Sequence, residues 1–424
     1  MKAQIGPAQV RGRVEAPSSK SMTHRMAILG ALAEGRTSIR RPLVCDDTLA
    51  TLNAVKMLGV TVKASEDTWI VEGGSLKAPG EAIYCGESGT TIRLMTAVCA
   101  LADGCVTLTA APSLSRRPMR PLLDALSNLG VDAHGEAGYP PITVYGKRGL
   151  GGGETTLPGH VSSQFVSALL LVAPMTRSTL TIRVTTPLQS WPYVKMTMDA
   201  MEFFGVKASA SPGRDVFTAP TRKYMASNVN VEGDWSSASY LLAAGAVGGE
   251  VTVGNLDTGS SQADTAILDI LSRMGAELTV KGDAVICNRS QLKAVKTDFS
   301  DYPDLFPIVS ALCTVAEGTS ELTGLGRLRL KESDRVAAMA KGLTRMGAEV
   351  AEDGGAVRIK GGRVRGAELN PYNDHRIAMS LGILALAAEG ETTILDAGCV
   401  TKSYPGFWSH LERLGVNVRR VEDE

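Results

Sequence analysis

The chain is poor in aromatic residues and has no excess of either charge. Aromatic residues make up 5% of the 424 residues, and 44 lysines and arginines balance 44 aspartates and glutamates. Nucleic-acid-binding domains are typically basic overall, so we expect no nucleic-acid partner. No apolar run approaches the roughly 20 residues of a membrane-spanning helix. No signal-like apolar segment opens the chain, so we expect a cytoplasmic protein without a membrane partner.

Cysteine and histidine are too scattered to indicate a disulfide framework or a metal site. The seven cysteines form an odd set without a C-x-x-C motif, and there are five histidines. Such cysteines are typical of free thiols in a reducing compartment. Structural zinc sites need closely spaced cysteine and histidine ligands. No dinucleotide-binding fingerprint is present either, so we expect neither a metal nor a cofactor.

A short phrase recurs along the chain: a large apolar residue, a glycine, then valine or alanine before a strand-like run. The glycines are spaced by 71, 75, 70, 72 and 68 residues. A fixed period indicates internal repeats, and glycine after an apolar helix is typical of a left-handed helix end. The phrases are Leu58-Gly59-Val60, Leu129-Gly130-Val131, Phe204-Gly205-Val206, Met274-Gly275-Ala276, Met346-Gly347-Ala348 and Leu414-Gly415-Val416.

Each period also holds a second apolar helix and short β-branched runs, so one unit is predicted as β-α-β-α-β-β. Single cores stop growing near about 250–300 residues, which favours two domains of three repeats. We expect one domain over 18–230 and the other over 231–424, completed by residues 1–17. The strand-like start of the chain, 2–5, needs a partner sheet there. Two chain crossings imply a hinge, and a hinge implies a cleft.

Polar residues stand at the starts of the first helices of the repeats. Ser21 precedes Arg25 by one helical turn, so the guanidinium can reach back to an anion held at the helix start, with Lys20 beside it. The next two repeats follow the same pattern with glycines or hydroxyls at the helix start. Their residues are Gly89 and Arg93 in the second repeat, Ser162, Ser163 and Gln164 in the third, and Arg117 in a basic loop.

The second half of the chain places acids among its cations. The residues concerned are Asp304, Lys331, Glu332, Arg335, Arg376 and Lys402. Each group alone is also consistent with helix caps or a charged surface. Together they predict a cleft for small, multiply anionic substrates, which arginine binds bidentately. The acids within it would transfer protons, so the predicted chemistry is group transfer between anions.

In combination and in order, these motifs resemble those of the 5-enolpyruvylshikimate-3-phosphate synthase family of enolpyruvyl transferases. The resemblance covers essentially the whole chain and implies a two-domain, inverted barrel-like α/β fold. That fold has six β-α-β-α-β-β repeats, three per domain, and an interdomain cleft. The motifs are Lys20-Ser21-x3-Arg25, Gly86-x2-Gly89-Thr90-x2-Arg93, Arg117-Pro118, Ser162-Ser163-Gln164, Pro303-Asp304, Lys331-Glu332-Ser333-Asp334-Arg335 and Asp374-His375-Arg376.

The resemblance also implies an activity: transfer of the enolpyruvyl group of phosphoenolpyruvate to the 5-hydroxyl of shikimate 3-phosphate, with release of phosphate. It implies these ligands for shikimate 3-phosphate: Lys20, Ser21, Arg25, Ser162, Ser163, Ser190, Tyr193, Asp304 and Lys331. For phosphoenolpyruvate it implies Lys20, Gly89, Arg93, Arg117, Gln164, Arg335, Arg376 and Lys402. Glu332 would act on the methylene carbon. Asp304 and Lys20 would handle the hydroxyl proton and the departing phosphate.

Two positions depart from the family pattern. Glu87 stands where the family commonly has asparagine, and Arg327 stands where some members have a polar asparagine. A carboxylate at position 87 would face an anionic pocket at an electrostatic cost unless a cation pairs with it. Substrate affinity and the response to the inhibitor glyphosate are expected to depend on these two residues.

Two other functions are consistent with the same repeats. The sister enolpyruvyl transferase acting on UDP-N-acetylglucosamine shares the fold but usually has a reactive cysteine in the basic loop, and the loop over 111–121 contains none. A non-catalytic repeat scaffold would leave the cations solvated, and it would tolerate Lys20→Ala and Arg376→Ala. The resemblance favours a monomer, and the balanced charge disfavours an RNA-processing relative.

Overall fold

The computed structural model describes residues 1–147 and 149–422. Its contacts divide the chain into two compact units. Unit I comprises Met1–Pro17 and Gly233–Glu424, and unit II comprises Ser18–Glu232.

Helices and strands alternate along both units. The α-helices are α1 (Lys20–Leu32), α2 (Asp46–Met57), α3 (Gly89–Cys99), α4 (Pro112–Ser115), α5 (Arg120–Asn128), α6 (Ser163–Val172), α7 (Trp191–Phe203), α8 (Trp235–Gly248), α9 (Ile267–Arg273), α10 (Phe306–Cys313), α11 (Arg335–Arg345), α12 (His375–Ala385) and α13 (Phe407–Arg413). Short 3₁₀ helices span Ala173–Met175, Ala263–Ala266, Pro303–Leu305, Gly326–Leu330 and Ala397–Lys402.

The strands are short, as expected for small four-stranded sheets. They are β1 (Lys2–Ile5), β2 (Val10–Glu15), β3 (Gly35–Arg40), β4 (Thr61–Ala64), β5 (Thr68–Gly73), β6 (Ile83–Tyr84), β7 (Asp103–Thr109), β8 (Asp132–Glu136), β9 (Tyr139–Lys147), β10 (Gly153–Leu157), β11 (Leu180–Val184), β12 (Ser209–Ala210), β13 (Val216–Ala219), β14 (Asn228–Asn230), β15 (Gly249–Gly254), β16 (Glu277–Lys281), β17 (Ala284–Asn288), β18 (Lys296–Asp298), β19 (Thr319–Thr323), β20 (Glu349–Asp353), β21 (Ala356–Lys360), β22 (Glu368–Leu369), β23 (Thr392–Ile394) and β24 (Val418–Val421).

Within the described residues the strands form six four-stranded sheets with one topology. In each sheet a first strand pairs parallel with the second, and two further strands follow antiparallel. The sheet orders are β14-β3-β5-β4, β6-β7-β9-β8, β10-β11-β13-β12, β2-β15-β17-β16, β18-β19-β21-β20 and β22-β23-β1-β24. Six copies of one topology are the predicted repeats.

Three sheets are completed by strands that lie far away in the chain, and in one of them β2 pairs parallel with β15. In unit II, β14 pairs parallel with β3, which begins the unit. In unit I, β1 pairs antiparallel with both β23 and β24, so the start of the chain completes the last repeat. These pairings join the ends of each unit, and they hold the repeats in fixed positions.

The recurring glycines have the predicted backbone conformation. Gly59, Gly130, Gly205, Gly275, Gly347 and Gly415 all have φ between 78° and 93°. A side chain is disfavoured in this left-handed region. The glycine therefore ends the second helix of each repeat and turns the chain into the next strand.

The first helix of each repeat is buried on nearly all sides. These helices are α1, α3 and α6 in unit II and α8, α10 and α12 in unit I. A helix that is apolar all round lies inside a protein, and each set forms the core of its unit. Polar residues at or just before the first turn of such helices therefore stand at one end of the core helices.

Candidate active site

The start of α1 brings a lysine against a carboxylate. Ser19 caps the helix, and its hydroxyl accepts from the Met22 amide at 3.4 Å. Lys20 Nζ donates to Asp47 Oδ2 at 2.7 Å, with both side chains largely buried. Because Asp47 belongs to the first turn of α2, this contact ties the two helices of the first repeat together at their N-terminal ends.

Arg25 is buried without an acidic partner. Its Nε donates to Thr197 Oγ1 at 2.8 Å, and its two terminal nitrogens donate to the carbonyls of Ser21 at 2.8 Å and Tyr193 at 3.0 Å. Along the described chain no carboxylate forms an ion pair with this guanidinium, which is 1% exposed. Burial lowers the pKa of Arg25 to about 10, so it stays charged at neutral pH. An uncompensated buried cation favours an anionic ligand.

A chain of buried hydroxyls lies behind these cations. His24 Nδ1 shares a hydrogen with Thr51 Oγ1 at 2.7 Å, Thr51 Oγ1 contacts Thr91 Oγ1 at 2.7 Å, and Thr91 Oγ1 donates to Ser88 Oγ at 2.7 Å. Burial, followed by the charges of Lys20 and Arg25, holds the pKa of His24 well below its usual range. The histidine is therefore neutral, and the chain connects α1, α2 and the N-cap of α3.

The start of α3 collects two guanidinium groups around a glycine. A Cβ atom at Gly89 would lie 3.1 Å from Arg117 Nη1 and 3.5 Å from Arg93 Nη1, so a larger residue here would crowd the Arg117 guanidinium. Arg93 Nη1 also donates to Gln164 Oε1 at 2.7 Å, and Gln164 Nε2 donates to Thr90 Oγ1 at 2.9 Å. The structure thus brings the predicted residues of the second and third repeats together.

The predicted hydroxyls of the third repeat lie at helix starts. Ser162 caps α6 and accepts from the Gln164 amide at 3.3 Å, and Ser163 is the buried first residue of α6. Ser190 is fully buried and precedes α7 with φ of 57°. Tyr193 lies in the first turn of α7, and its carbonyl accepts from Arg25. Glu87, in the loop before α3, accepts from Ser113 Oγ at 3.1 Å.

In unit I, Arg335 is the centre of an acidic cluster. Nε donates to Asp374 Oδ2 at 2.8 Å, Nη1 to Asp304 Oδ1 at 2.7 Å, and Nη2 to Glu332 Oε2 at 2.6 Å. Its side chain is 1% exposed. Although burial alone would lower the pKa of Arg335, these carboxylates raise it above the usual value. The guanidinium is therefore a fixed frame for the acids around it.

Asp304 forms ion pairs with two further cations besides Arg335. Arg376 Nη2 lies 3.0 Å from Asp304 Oδ2, and Lys331 Nζ lies 3.5 Å from Asp304 Oδ1. Burial alone would raise the pKa of Asp304, but the neighbouring cations hold it well below its usual range. Asp304 is thus an ionised hydrogen-bond acceptor at neutral pH.

The pKa of Lys331 is lower than that of an ordinary lysine. Burial is the largest effect and lowers its pKa to about 8, although the Asp304 charge opposes the change. Arg335 and Arg327, on the 3₁₀ helix Gly326–Leu330, add to the lowering. A lysine with such a pKa can both bind an anion and exchange a proton near neutral pH.

A strained turn leads into α12, and Lys402 and Arg376 both contact it or the residue that follows it. Tyr372 and Asn373 have φ of 55° and 56°, a region that is uncommon for residues other than glycine. Lys402 Nζ donates to the Asn373 carbonyl at 2.6 Å. Asp374 then caps α12 and accepts from the Arg376 amide at 2.9 Å. Backbone strain of this kind clusters at functional sites.

Some residues of these clusters were not among the predicted site residues. In unit II, Asp47 bonds to Lys20 and Thr197 bonds to Arg25. In unit I, Asp374 bonds to Arg335, and Asp264 is acted on by the charge of Asp304. Helical spacing was the available signal for Thr197, which lies one turn after Tyr193. Asp374 was visible as the acid of a helix-start motif. Asp47 and Asp264 had no local signal that distinguishes them from ordinary acids.

Residues 1–147 and 149–422 contain no helix long and apolar enough to cross a membrane. The same stretches hold no cluster of three or more histidine, cysteine or acidic side chains arranged for a metal ion. Their seven cysteines are all free, and Cys105 is the exposed one among them.

Solved structures share this fold over its full length. The match to a structure of EPSP synthase from Acinetobacter baumannii covers 99% of this chain and 100% of that one, with a TM-score of 0.84 and 29% identity. The enolpyruvyl transferase NikO from Streptomyces tendae covers 100% and 99%, with a TM-score of 0.82 and 18% identity. The fold is therefore that of the enolpyruvyl transferases, as predicted.

Sequence comparisons then give the family. The family model described as EPSP synthase (3-phosphoshikimate 1-carboxyvinyltransferase) matches residues 5–411. Relatives with the name 3-phosphoshikimate 1-carboxyvinyltransferase include one from Methanocorpusculum labreanum, 41% identical over 99% of this chain and 100% of its own. Another, from Methanothermobacter thermautotrophicus, is 44% identical over 96% and 97%. The chain belongs to the EPSP synthase family, which confirms the predicted resemblance.

Proposed function

We propose that the protein is a 3-phosphoshikimate 1-carboxyvinyltransferase. It transfers the 1-carboxyvinyl group of phosphoenolpyruvate to the 5-hydroxyl of shikimate 3-phosphate and releases phosphate, a step in the biosynthesis of chorismate and aromatic amino acids. Family membership over 5–411 supports this function, and the names of the relatives do not favour the sugar-nucleotide transferase. The scaffold alternative is not favoured either.

The observation that carries the proposal is that the protein has two kinds of buried arginine. Arg25 has no acidic partner among the described residues, and Arg335 is bonded to several acids. Arg25 is buried, and its hydrogen-bond partners in the described part of the chain are neutral oxygens, which suits a phosphate or carboxylate ligand. Asp304 and Glu332 are held by Arg335, which suits proton transfer in a fixed geometry. Binding a phosphorylated acceptor and an anionic donor needs buried cations such as Arg25. Addition followed by elimination needs acids held in place, such as those around Arg335.

The reaction proceeds in two balanced steps. The acceptor oxygen bonds to the enol carbon of phosphoenolpyruvate, its proton passes to the Asp304 carboxylate, and the methylene carbon gains a proton from Glu332. The tetrahedral intermediate then loses phosphate, which takes up the proton held by Asp304 and departs beside the Lys20 cation, and Glu332 takes its own proton back from the methyl carbon. One carbon–oxygen bond forms and another breaks, so no electron donor or acceptor is consumed.

We assign the site residues to the two substrates as the family resemblance implies. Shikimate 3-phosphate would be bound by Lys20, Ser21, Arg25, Ser162, Ser163, Ser190, Tyr193, Asp304 and Lys331. Phosphoenolpyruvate would be bound by Lys20, Gly89, Arg93, Arg117, Gln164, Arg335, Arg376 and Lys402. The shared contact of Arg93 with Gln164 and the convergence of Arg93 and Arg117 on Gly89 support the second set in unit II.

Units I and II would be the two domains of a monomeric, cytoplasmic enzyme without a nucleic-acid partner. The zero formal net charge supports the last point. Free, mostly buried thiols are typical of proteins from a reducing compartment. Light scattering of the purified protein tests the oligomeric state, and a mass of twice 44.6 kDa would contradict a monomer.

The direct test is phosphate release from phosphoenolpyruvate with shikimate 3-phosphate or UDP-N-acetylglucosamine as the acceptor. We expect release that depends on shikimate 3-phosphate. Release only with the sugar nucleotide would indicate the sister activity, and no release with either would favour the scaffold.

The pKa of Lys331 gives a prediction for the pH dependence. Lys331 is charged below about pH 8 and loses its proton as the pH rises through that value. The KM for shikimate 3-phosphate should therefore rise above about pH 8, because a cation is lost from the site. Lys331→Arg should move this rise to higher pH, since arginine stays charged. Lys360→Arg, at an exposed position, is the matched control, and an unchanged profile in Lys331→Arg would refute the assignment.

A further inference from the structure

Unit I contains a buried acid that the proposed mechanism does not use. Asp264 lies in the 3₁₀ helix Ala263–Ala266 and is 2% exposed. The Ser236 hydroxyl donates to Asp264 Oδ2. The other oxygen, Oδ1, has no hydrogen-bond partner among residues 1–147 and 149–422. A buried carboxylate usually needs several donors, and this one has a single neutral donor.

Neighbouring hydrogen bonds fix where Asp264 stands. Gln262, two residues earlier, accepts from the Trp235 amide at 3.0 Å and donates to the Gly233 carbonyl at 2.7 Å. These bonds attach the segment before Asp264 to the start of α8, the helix that also carries Ser236. The position of the carboxyl group is therefore set by packed elements and not by a mobile loop.

The charged groups that act on Asp264 are Asp304, Arg376 and Asp234. Asp234 caps α8 and accepts from the Ser237 amide at 2.7 Å. Tyr240 lies one turn after Ser236 on α8, and its pKa is raised to about 12, mainly by burial, while Arg376 opposes the change. Tyr240 is thus neutral. Asp264 shares its surroundings with two acids and one cation, and that cation is a predicted phosphoenolpyruvate ligand.

Burial and the nearby acids favour a proton on Asp264, while the Arg376 charge and the Ser236 hydrogen bond oppose it. Burial is the larger effect, the Asp304 charge adds to it, and together they raise the pKa of Asp264 to about 7. Below this pH the acid is neutral, and Arg376 shares its charge with Asp304 at 3.0 Å. Above it, a second negative charge lies near Arg376 and weakens its attraction for an incoming anion.

We propose that Asp264, held by Ser236, is a positioning residue that sets the charge available from Arg376 for the carboxylate of the enolpyruvyl donor. It acts through Arg376 and does not touch the substrate. The inference rests on the proposed function for the identity of the donor. It extends that function because the protonation of Asp264 would control the affinity for the donor without Asp264 being a binding residue.

The test compares the KM for phosphoenolpyruvate in the wild type and Asp264→Asn at several pH values between about 5.5 and 7.5. In the wild type the KM should rise several-fold through about pH 7. Asp264→Asn cannot ionise and should lack this rise. Ionisation of the substrate itself is common to both proteins and cancels in the comparison. Asp269→Asn, the same change at an exposed position of unit I, should follow the wild type.

Ser236→Ala gives a second test with a definite sign. The Ser236 hydrogen bond lowers the pKa of Asp264, so its removal should move the rise in KM to higher pH. A shift to lower pH, or no shift, would contradict the proposal. Equal pH profiles in wild type and Asp264→Asn would overturn it as well, and so would a loss of kcat at every pH with a parallel KM profile, because that indicates a structural role.

An infrared measurement separates this inference from the proposed function. The difference spectrum between wild type and Asp264→Asn should contain a protonated carboxyl band that disappears as the pH rises through about 7. Absence of the band at low pH would overturn the inference even in an active enzyme. If the wild type released no phosphate, the proposed function would fail. Calorimetric binding of phosphoenolpyruvate would then replace KM, and equal pH dependence in both proteins would overturn the inference.

Discussion

Arg335→Met should reduce the free energy of unfolding of unit I by about 3–5 kcal/mol, the usual cost of removing one partner from a buried ion pair. Arg335 is 1% exposed, and it bonds to Asp304, Glu332 and Asp374. Methionine fills a similar volume but leaves these acids without their shared cation. Urea unfolding followed by a probe in unit I measures the change.

The sign of the pH dependence provides a stricter check on Arg335→Met. In the wild type the pKa of Asp304 is held low, so its contribution to stability is present above its unfolded pKa of about 4 and is lost as the pH falls. In the variant, buried acids without Arg335 resist ionisation. The destabilisation should therefore be largest near neutral pH and shrink in acid.

Arg345→Ala is the matched control for this prediction. Arg345 ends the same helix, α11, but is exposed, so its loss should change stability by less than about 0.5 kcal/mol. Equal effects of the two substitutions, or a destabilisation by Arg335→Met that does not depend on pH, would show that the carboxylates do not need Arg335.

Glu332→Gln should lower kcat by about 10²–10⁴-fold, the usual contribution of a general acid–base group. Glutamine has nearly the same shape and can still accept the hydrogen bond that Arg335 Nη2 donates at 2.6 Å. It can neither give nor take the proton at the methylene carbon. Phosphate release measured with saturating substrates reports this loss, and the KM values should change far less than kcat.

Glu349→Gln is the control for Glu332→Gln, because Glu349 is 72% exposed and pairs with Lys360 at the surface. It should keep the wild-type rate. Near-full turnover by Glu332→Gln would remove Glu332 from the mechanism. A fall in substrate affinity without a fall in kcat would make it a binding residue.

The repeat architecture could be predicted because its signals are local. Each glycine phrase marks the end of one helix, and the positive φ of those glycines depends on three or four neighbouring residues. The polar helix starts were equally visible, since a cap and its partner lie within one turn. Ser19, Ser88 and Ser162 each accept a hydrogen bond from an amide two or three residues later.

The partners of the site residues could not be predicted in this way. Arg25 meets Thr197 across 172 positions of sequence, and Arg335 meets Asp374 across 39. Such contacts join residues of different repeats, and they form only when those repeats pack against each other. Side-chain periodicity carries no information about which repeats become neighbours.

The sequence by itself determined the helices, their caps, the repeat and the family, because these depend on backbone preferences and on motifs a few residues long. The tertiary structure decided which charges are paired. Within residues 1–147 and 149–422, it left Arg25 without an acid, surrounded Arg335 with carboxylates, and buried Asp264 with a single hydroxyl donor. Burial and the distance to opposite charge set the protonation of a side chain, and both exist only after distant segments have packed together.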